Sequence, residues 1–151
     1  MIRKMTTDDK ETYYKFARMF YNTGAMPQDI EEEKATELTT RIFSEIMRSD
    51  VYLEGFIFEE ENQPAGYAIT SKSFITELAG LNLWLEELFV LKEYRSKGIG
   101  RKFLEYLKEN IDDSVCRIRL EVAKDNERAK KLYKELGYKD HSYLQLIKDF
   151  K

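Results

Sequence analysis

A strand, a helix and a second strand follow one another between residues 83 and 122, and this order limits the chain to a layered fold. The two strands are predicted at residues 83–91, which end in an apolar run, and at residues 116–122, where apolar and charged residues alternate. Between them, apolar residues recur at helical spacing: Ile99, Phe103, Leu104, Leu107 and Ile111. Such a crossover predicts two parallel strands in one sheet.

The remaining segments predict further strands and helices around this unit. A strand is expected at residues 2–5, followed by helices around residues 13–20 and, after Pro27, residues 35–46. Residues 52–58 and 65–74 flank the turn EEENQP and predict a hairpin. A last helix is expected to end at Gly137, and the aromatic tail, residues 138–150, predicts one bent strand or two short ones. The order βααβββαβαβ indicates a single α/β (α+β) domain over residues 1–151.

The composition excludes several classes of protein. With 42% hydrophobic residues the chain can form a core, and no apolar run approaches the roughly 18 residues of a membrane span. Its only cysteine is Cys116 and its only histidine is His141, so neither a disulfide framework nor a zinc site is expected. The expectation is a cytoplasmic protein without a metal and without membrane association.

Charge is distributed unevenly along the chain. Residues 1–80 carry 15 acidic and 9 basic residues, a net charge of −6, whereas residues 81–151 carry 13 acidic and 16 basic residues, a net charge of +3. This uneven distribution has two explanations. The charged residues form ordinary solvated surface, or the second half of the chain binds an anion while the first half faces a cation. Nucleic acid is not expected as a partner, because no strongly basic stripe with interleaved aromatic residues is present.

The junction between the strand and helix of the β–α–β unit reads YRSKGIG, residues 94–100, and contains two of the seven glycines. Glycine lets the backbone approach a ligand closely, and the start of a helix carries unpaired N–H groups and partial positive charge. These features are typical of a pyrophosphate site, although a simple packing turn has the same pattern. The nucleotide-binding motifs G-x-x-x-x-G-K-[ST] and G-x-G-x-x-G are both absent at this junction.

Arg95 to Gly100, RSKGIG, resembles the [RQ]-x-x-G-x-[GA] signature of the GNAT (Gcn5-related N-acetyltransferase) family. The preceding LEELFVLKEY resembles the central strand of that family, most closely that of members acting on small amines and polyamines. The downstream stretch EVAKDNERAKKLYKELGYK resembles its second conserved block. The resemblance implies a mixed central sheet of six to seven strands flanked by about four helices.

The resemblance also implies that acetyl-CoA is the cosubstrate. The residues implied to hold its pyrophosphate, mostly through backbone N–H groups, are Arg95, Ser96, Lys97, Gly98, Ile99, Gly100 and Arg101. The pantetheine arm is implied to pair with the end of the central strand at Leu88, Phe89 and Val90 as an added strand. One amide there, of Phe89 or Val90, would stabilise the oxyanion of the tetrahedral intermediate. Asn126 is implied to contact the cofactor, and it is equally suited to cap a helix.

Two catalytic roles follow from the same resemblance. Tyr133 is implied to be the general acid that protonates the departing thiolate, and its place on a helix stripe also suits a core tyrosine. Glu86 is implied to be the general base for the amine, with Glu121 on the neighbouring strand as a second candidate. Because adjacent strand residues point to opposite faces, only one of Glu86 and Glu87 is expected to face the cleft.

The expected function is transfer of an acetyl group from acetyl-CoA to a primary amine, with a small cationic molecule as acceptor. Two alternatives stay open: acetylation of protein lysines or N-termini, and a non-catalytic acyl-CoA-binding regulatory module. Dimerisation is common in the family, and the sequence leaves a homodimer open. The acidic runs at residues 31–33 and 59–61 fit a cationic acceptor, but a helix face and a hairpin tip explain them equally well.

Overall fold

The computed structural model describes residues 1–24 and 30–151, so Pro27, which precedes the second predicted helix, lies outside the described residues. It divides the chain into two compact units, residues 1–121 and residues 122–151. Within the described part of the chain, no helix is long and apolar enough to cross a membrane.

The described part of the first unit contains a five-stranded sheet and three α-helices. In chain order the elements are β1 (Ile2–Lys4), α1 (Lys10–Tyr21), α2 (Glu32–Arg48), β2 (Leu53–Glu60), β3 (Gln63–Ile75), β4 (Gly80–Val90), α3 (Ile99–Asn110) and β5 (Val115–Leu120).

The strands pair in their order along the chain, from β1 at one edge to β5 at the other. The first three pairs are antiparallel and β4 pairs with β5 in parallel, so the predicted mixed sheet and the predicted parallel pair around α3 are both confirmed. The predicted hairpin is β2–β3, and its turn is made by Glu61 and Asn62, both with positive φ. Positive φ at both central residues is the geometry that a two-residue hairpin needs.

Helices cover both faces of the sheet. The face covered by α1 and α2 holds the larger core, in which Tyr13 and Phe16 of α1 and Phe43 of α2 pack against Tyr67 and Phe89 of the sheet. We call this the α1/α2 face. On the opposite face, Phe103 of α3 packs against Phe56 and Phe58 of β2, with ring centroids 5.3 and 5.1 Å apart.

The second unit contains α4 (Glu127–Glu135), followed by Gly137 in the left-handed conformation with φ of 89°. The predicted helix and its glycine end are therefore confirmed.

The prediction of strands at residues 138–150 is wrong, and with it the prediction of six to seven strands, because residues 139–151 form no strand. Aromatic and branched residues favour strands, but a strand forms only where a sheet edge pairs with it. The large apolar side chains of this tail are exposed instead: Tyr143, Leu144, Leu146, Ile147 and Phe150.

We predict that Gly66→Ala lowers the free energy of unfolding by about 2–3 kcal/mol, because it forces β3 and β4 apart. A Cβ atom on Gly66 would lie 2.2 Å from the Phe89 carbonyl oxygen, and a backbone atom in a central strand cannot move aside. Urea unfolding followed by circular dichroism measures the change. Gly100→Ala is the control, since its Cβ would meet only Leu88 Cδ2 at 3.8 Å. Equal stability of the two variants would contradict the close approach at Gly66.

Candidate functional site

Among the described residues, no strand pairs with one side of β4 at its end. The pairing of β4 with β5 ends at Leu85 and Leu120, whereas the pairing of β4 with β3 continues to Val90. Residues 86–90 therefore lie beyond the last pair with β5, and their outward-directed backbone groups are not used by that strand. An extended ligand with amide groups can pair with such an edge as an added strand.

The backbone directions along this edge follow from one hydrogen bond. The Leu91 N–H donates to the Ala65 carbonyl at 2.8 Å, so the backbone of Leu91 faces β3. Because the direction alternates along an antiparallel strand, Phe89 also faces β3, whereas Leu88 and Val90 face the open side. From that side, Arg95 Nε donates to the Val90 carbonyl at 2.9 Å. The amide groups available to a ligand are thus those of Leu88 and Val90.

The predicted pyrophosphate loop follows directly after this edge. Ser96 and Gly98 both have left-handed backbone conformations, with φ of 67° and 75°. Left-handed residues among right-handed ones turn successive N–H groups toward one point, which makes a concave anion site. Gly98 is the N-cap residue of α3, no side chain caps this helix, and its first turn has no acidic residue. The partial positive charge of the helix N-terminus is therefore directed at the loop.

The loop leaves room where a ligand is expected. A Cβ atom on Gly98 would meet nothing within 4 Å, and one on Gly100 would meet only Leu88 Cδ2 at 3.8 Å. Gly98 is required by its φ angle, but packing within the protein does not require a glycine at position 100. Lys97 lies nearby with its Nζ 5.0 Å from the centroid of the Tyr94 ring. The open edge and the loop together fit an acyl-CoA, whose pantetheine amides and pyrophosphate need these two kinds of partner.

A bulge in β4 corrects one prediction about the catalytic acids. Ile69 pairs with Glu87 and the next residue, Thr70, pairs with Leu85, which leaves Glu86 as an extra residue in β4. Such a bulge breaks the alternation of side chains between the two faces.

The two glutamates consequently lie on the same face of the sheet. Glu87 accepts a hydrogen bond from the Tyr67 hydroxyl at 2.6 Å, and Glu86 accepts one from the Ser71 hydroxyl. Tyr67 and Ser71 are four residues apart on β3 and therefore share the α1/α2 face. The prediction that Glu86 and Glu87 point to opposite faces is thus wrong.

The two carboxylates have different surroundings. Glu86 is exposed, whereas Glu87 is partly buried at the edge of the aromatic core. Burial raises the pKa of the Glu87 carboxyl from 4.5 to about 7; the Tyr67 hydrogen bond acts against this shift, and the charge of Glu86 adds to it. A carboxyl group whose pKa lies close to the working pH is typical of sites that move protons near neutral pH.

Three tyrosines lie around Glu87. Burial, with the charge of Glu87 adding to it, raises the pKa of Tyr13, Tyr21 and Tyr67, for Tyr21 to about 12. Tyr13 packs edge-on against the Tyr67 ring, with centroids 5.4 Å apart, and its side chain is fully buried. Its hydroxyl interacts with the hydroxyl of Tyr21 on the same helix.

The second unit carries the other two predicted site residues. Asn126 is the N-cap of α4, and its side chain accepts a hydrogen bond from the Ala129 N–H at 3.2 Å, so the capping role is confirmed. Tyr133 packs against Tyr138 with ring centroids 5.9 Å apart. Burial raises the pKa of Tyr133, which keeps its phenol protonated at neutral pH.

The remaining acidic candidates are Glu121 and the two acidic runs. Glu121 follows the end of β5 and is solvent-exposed. The acidic runs lie at the start of α2 and at the β2–β3 hairpin, and members of both form ion pairs, Glu32 with Arg18 and Glu59 with Arg3. They therefore have a structural explanation that needs no acceptor.

Comparison with known proteins identifies the family. The profile of the acetyltransferase (GNAT) family matches residues 11–138. The chain therefore belongs to this family, whose acetyl donor is acetyl-CoA, and the resemblance read from the glycine junction is confirmed.

Individual relatives agree with this assignment. Over 76 residues the chain is 41% identical to a thialysine N-epsilon-acetyltransferase from Bos taurus. That match covers 50% of this chain and 44% of the bovine protein, so it spans less than half of the relative's length.

Two solved structures share the fold at low sequence identity. A protein named as a predicted acetyltransferase from Clostridium acetobutylicum, solved with acetyl-CoA, has a TM-score of 0.77 at 21% identity and covers 97% of this chain and 95% of its own. The structure of AAC(6')-Iy in complex with the bisubstrate analogue CoA-S-monomethyl-acetylneamine has a TM-score of 0.77 at 16% identity, covering 99% and 97%.

Sequence reasoning missed Tyr13, Tyr67 and the burial of Glu87. Tyr13 and Tyr67 were visible only as apolar positions of a helix and a strand. The one available signal was the pair Glu86–Glu87 within an otherwise apolar strand, because a buried carboxylate needs a nearby hydrogen-bond donor.

We predict that Glu87→Gln stabilises the fold at pH 8 by on the order of 1–3 kcal/mol and gives no such gain at pH 5. The carboxyl has a higher pKa in the folded chain than its ordinary value of 4.5, so the folded state holds this proton more tightly. Its contribution to stability is fully present below about pH 4.5 and is lost as the pH rises through about 7, where the buried group must ionise. Glutamine is neutral at every pH and can still accept the Tyr67 hydrogen bond.

Urea unfolding of both proteins between pH 5 and pH 8 tests this prediction. A stability difference that does not change with pH would mean that Glu87 is not a titrating buried group. Glu86→Gln is the control, because that side chain is exposed.

Proposed function

We propose that this protein transfers an acetyl group from acetyl-CoA to the primary amine of a small cationic molecule. The observation that carries the proposal is the open edge of β4 at residues 86–90, which leads directly into the loop with left-handed Ser96 and Gly98. One end of this arrangement suits the amides of a pantetheine arm, and the other suits a pyrophosphate.

The acetyl donor would bind along the open edge. The open-side direction of Leu88 and Val90 supports pairing with pantetheine, and it favours Val90 over Phe89 as the amide that stabilises the oxyanion. The backbone N–H groups of residues 95–101 would hold the pyrophosphate, with the N-terminus of α3 adding favourable charge. Asn126 would contact the same donor and cap α4.

Attack requires a neutral amine, because an ammonium group has no lone pair. Glu86 is the proposed general base: it is exposed on the α1/α2 face, and Ser71 holds its carboxylate. Glu121 remains the second candidate. The nitrogen attacks the thioester carbon, and the carbonyl oxygen gains negative charge toward the Val90 amide.

The thiolate that leaves requires a proton. Tyr133 is the proposed general acid, on the basis of the family resemblance and of a pKa that burial raises. A phenol that stays protonated at neutral pH can donate to a thiolate as the carbon–sulfur bond breaks. The transfer is direct, so no covalent enzyme intermediate forms.

The proposed class of acceptor follows from the charge of the residues on the α1/α2 face. The carboxylates of Glu86 and Glu87 lie on one face of the sheet, and no cationic side chain among the described residues bonds to either. This arrangement favours a cationic amine over a neutral one as the acceptor. Thialysine, the substrate named for the bovine relative, is therefore the first acceptor to test, followed by lysine and short diamines.

Acetylation of a peptide but not of these amines would favour a protein acceptor. Acetyl-CoA binding without transfer to any amine would favour a regulatory module.

We predict that Gly100→Glu weakens acetyl-CoA binding at least a hundredfold, because it places a carboxylate at the loop that binds the pyrophosphate. Isothermal titration calorimetry with acetyl-CoA and, separately, with adenosine nucleotides measures the effect. Asn110→Glu is the matched control, since it adds the same charge at the far end of α3. Unchanged affinity in Gly100→Glu would overturn the proposed position of the pyrophosphate, and no binding by the folded parent would overturn the proposed function.

We predict that Tyr133→Phe lowers turnover at least tenfold and leaves acetyl-CoA affinity nearly unchanged, because only the proton donor is removed. Thiol release with thialysine as acceptor gives the turnover, and calorimetry gives the affinity. Tyr138→Phe is the control, because that ring packs against Tyr133 in the same unit. Equal losses of turnover and affinity would identify Tyr133 as a packing residue.

A further inference from the structure

A row of side chains crosses the sheet on the α1/α2 face next to Glu86. Ser71 of β3 pairs with Trp84 of β4, and Trp84 pairs with Arg119 of β5. Residues directly opposite one another on neighbouring strands share a face of the sheet, so all three lie on the α1/α2 face. At one end of the row, the Ser71 hydroxyl donates to the Glu86 carboxylate. At the other end, the Cζ atom of Arg119 lies 4.5 Å from the centroid of the Trp84 ring.

Within the part of the chain that the structure describes, the N–H groups of Arg119 have no hydrogen-bond acceptor, although this side chain is half-buried. Arg3, Arg18 and Arg117 are half-buried as well, and each forms an ion pair with a carboxylate. The contact with Trp84 involves the flat face of the guanidinium group and leaves the N–H groups in its plane unpaired. A guanidinium group held against a ring presents two parallel N–H donors, the arrangement that binds a carboxylate.

We propose that Arg119 binds the α-carboxylate of the acceptor, so that the acceptor is an α-amino acid with a side-chain amine rather than a polyamine or a lysine within a protein. The proposal rests on the proposed function, because it takes the reacting amine to lie at Glu86. Arg119 is then a binding residue that selects the acceptor and takes no part in proton transfer.

The dimensions of the row suit such a molecule. The strands β3 and β5 are two strand spacings apart, about 10 Å. Ser71 holds the Glu86 carboxylate from the β3 side, and Arg119 projects from β5. An extended amino acid as long as lysine or thialysine can therefore reach Glu86 with its amine and Arg119 with its carboxylate. The half-buried Trp84 ring lies between the two ends, where it can pack against the carbon chain.

Pairs of acceptors that differ only in the carboxylate test the proposal. Thiobis(ethylamine) is thialysine with a hydrogen atom in place of the carboxylate, and cadaverine is related to lysine in the same way. At saturating acetyl-CoA, we expect kcat/KM from thiol release to be at least tenfold higher for each amino acid than for its diamine, because the diamine lacks the charge-assisted hydrogen bonds to Arg119.

The outcomes separate this subsite from the proposed function. Equal values of kcat/KM, or a preference for the diamines, would overturn the carboxylate subsite and leave the transferase activity standing. Transfer to none of the four compounds by protein that binds acetyl-CoA would overturn both. Lysinamide, whose neutral amide resembles a peptide bond, should be a poorer acceptor than lysine by a similar factor, and equal use of the two would also contradict the subsite.

Variants of Arg119 assign the preference to this side chain. Arg119→Gln should lower the preference for thialysine over its diamine at least tenfold, and Arg119→Lys, which keeps the charge without the parallel donors, should restore part of it. Arg117→Gln is the matched control, because it makes the same change two residues earlier on β5, at a side chain already paired with Glu77 at 3.4 Å. Equal losses of preference in Arg117→Gln and Arg119→Gln would overturn the assignment to Arg119.

Inhibition measures binding of the carboxylate apart from the chemistry. S-ethylcysteine keeps the α-carboxylate of thialysine and lacks the side-chain amine, so it can bind Arg119 without presenting an amine to Glu86. We expect it to compete with thialysine and to have an inhibition constant at least tenfold higher in Arg119→Gln than in the parent. Calorimetry with acetyl-CoA checks that the variant is folded. Equal inhibition of the folded variant and the parent, or no inhibition of the parent, would overturn the proposal.

Discussion

The site depends on where the hydrogen bonding between β4 and β5 stops. β4 keeps β3 as a partner from Glu87 to Val90, which fixes its position, and it loses β5 after Leu85. A strand that is paired on one side and free on the other can bind an extended ligand through its backbone. Gly66 allows this pairing, because it lets β3 approach the Phe89 carbonyl closely.

The β–α–β unit and its glycine loop could be predicted from the sequence because both are local. Residues close together in the chain set three features: the alternation of side chains in the strands, the helical spacing from Ile99, and the left-handed conformation at Gly98. The family resemblance uses the same local pattern, so it located the loop and the central strand. The C-terminal tail differs, since strand propensity alone does not supply a partner edge.

The carboxylate pair could not be predicted because it depends on distant residues. The bulge that aligns Glu86 with Glu87 arises from the register between β3 and β4, and strict alternation along one strand gives the opposite answer. The high proton affinity of Glu87 comes from burial, with the charge of Glu86 adding to it. Glu87 in turn raises the pKa of Tyr13 on α1, more than sixty residues earlier in the chain. A contact of this kind exists only once the helices have packed on the sheet.

The open edge of β4 also bears on self-association. A free, apolar strand edge such as LFV, residues 88–90, would accept a strand from another molecule as readily as an extended ligand. The bulge at Glu86 interrupts the regular strand geometry that strand addition needs. The negative charges of Glu86 and Glu87 next to this edge also oppose strand addition. The feature that arranges two carboxylates on one face thus also works against intermolecular β-pairing, and so against aggregation.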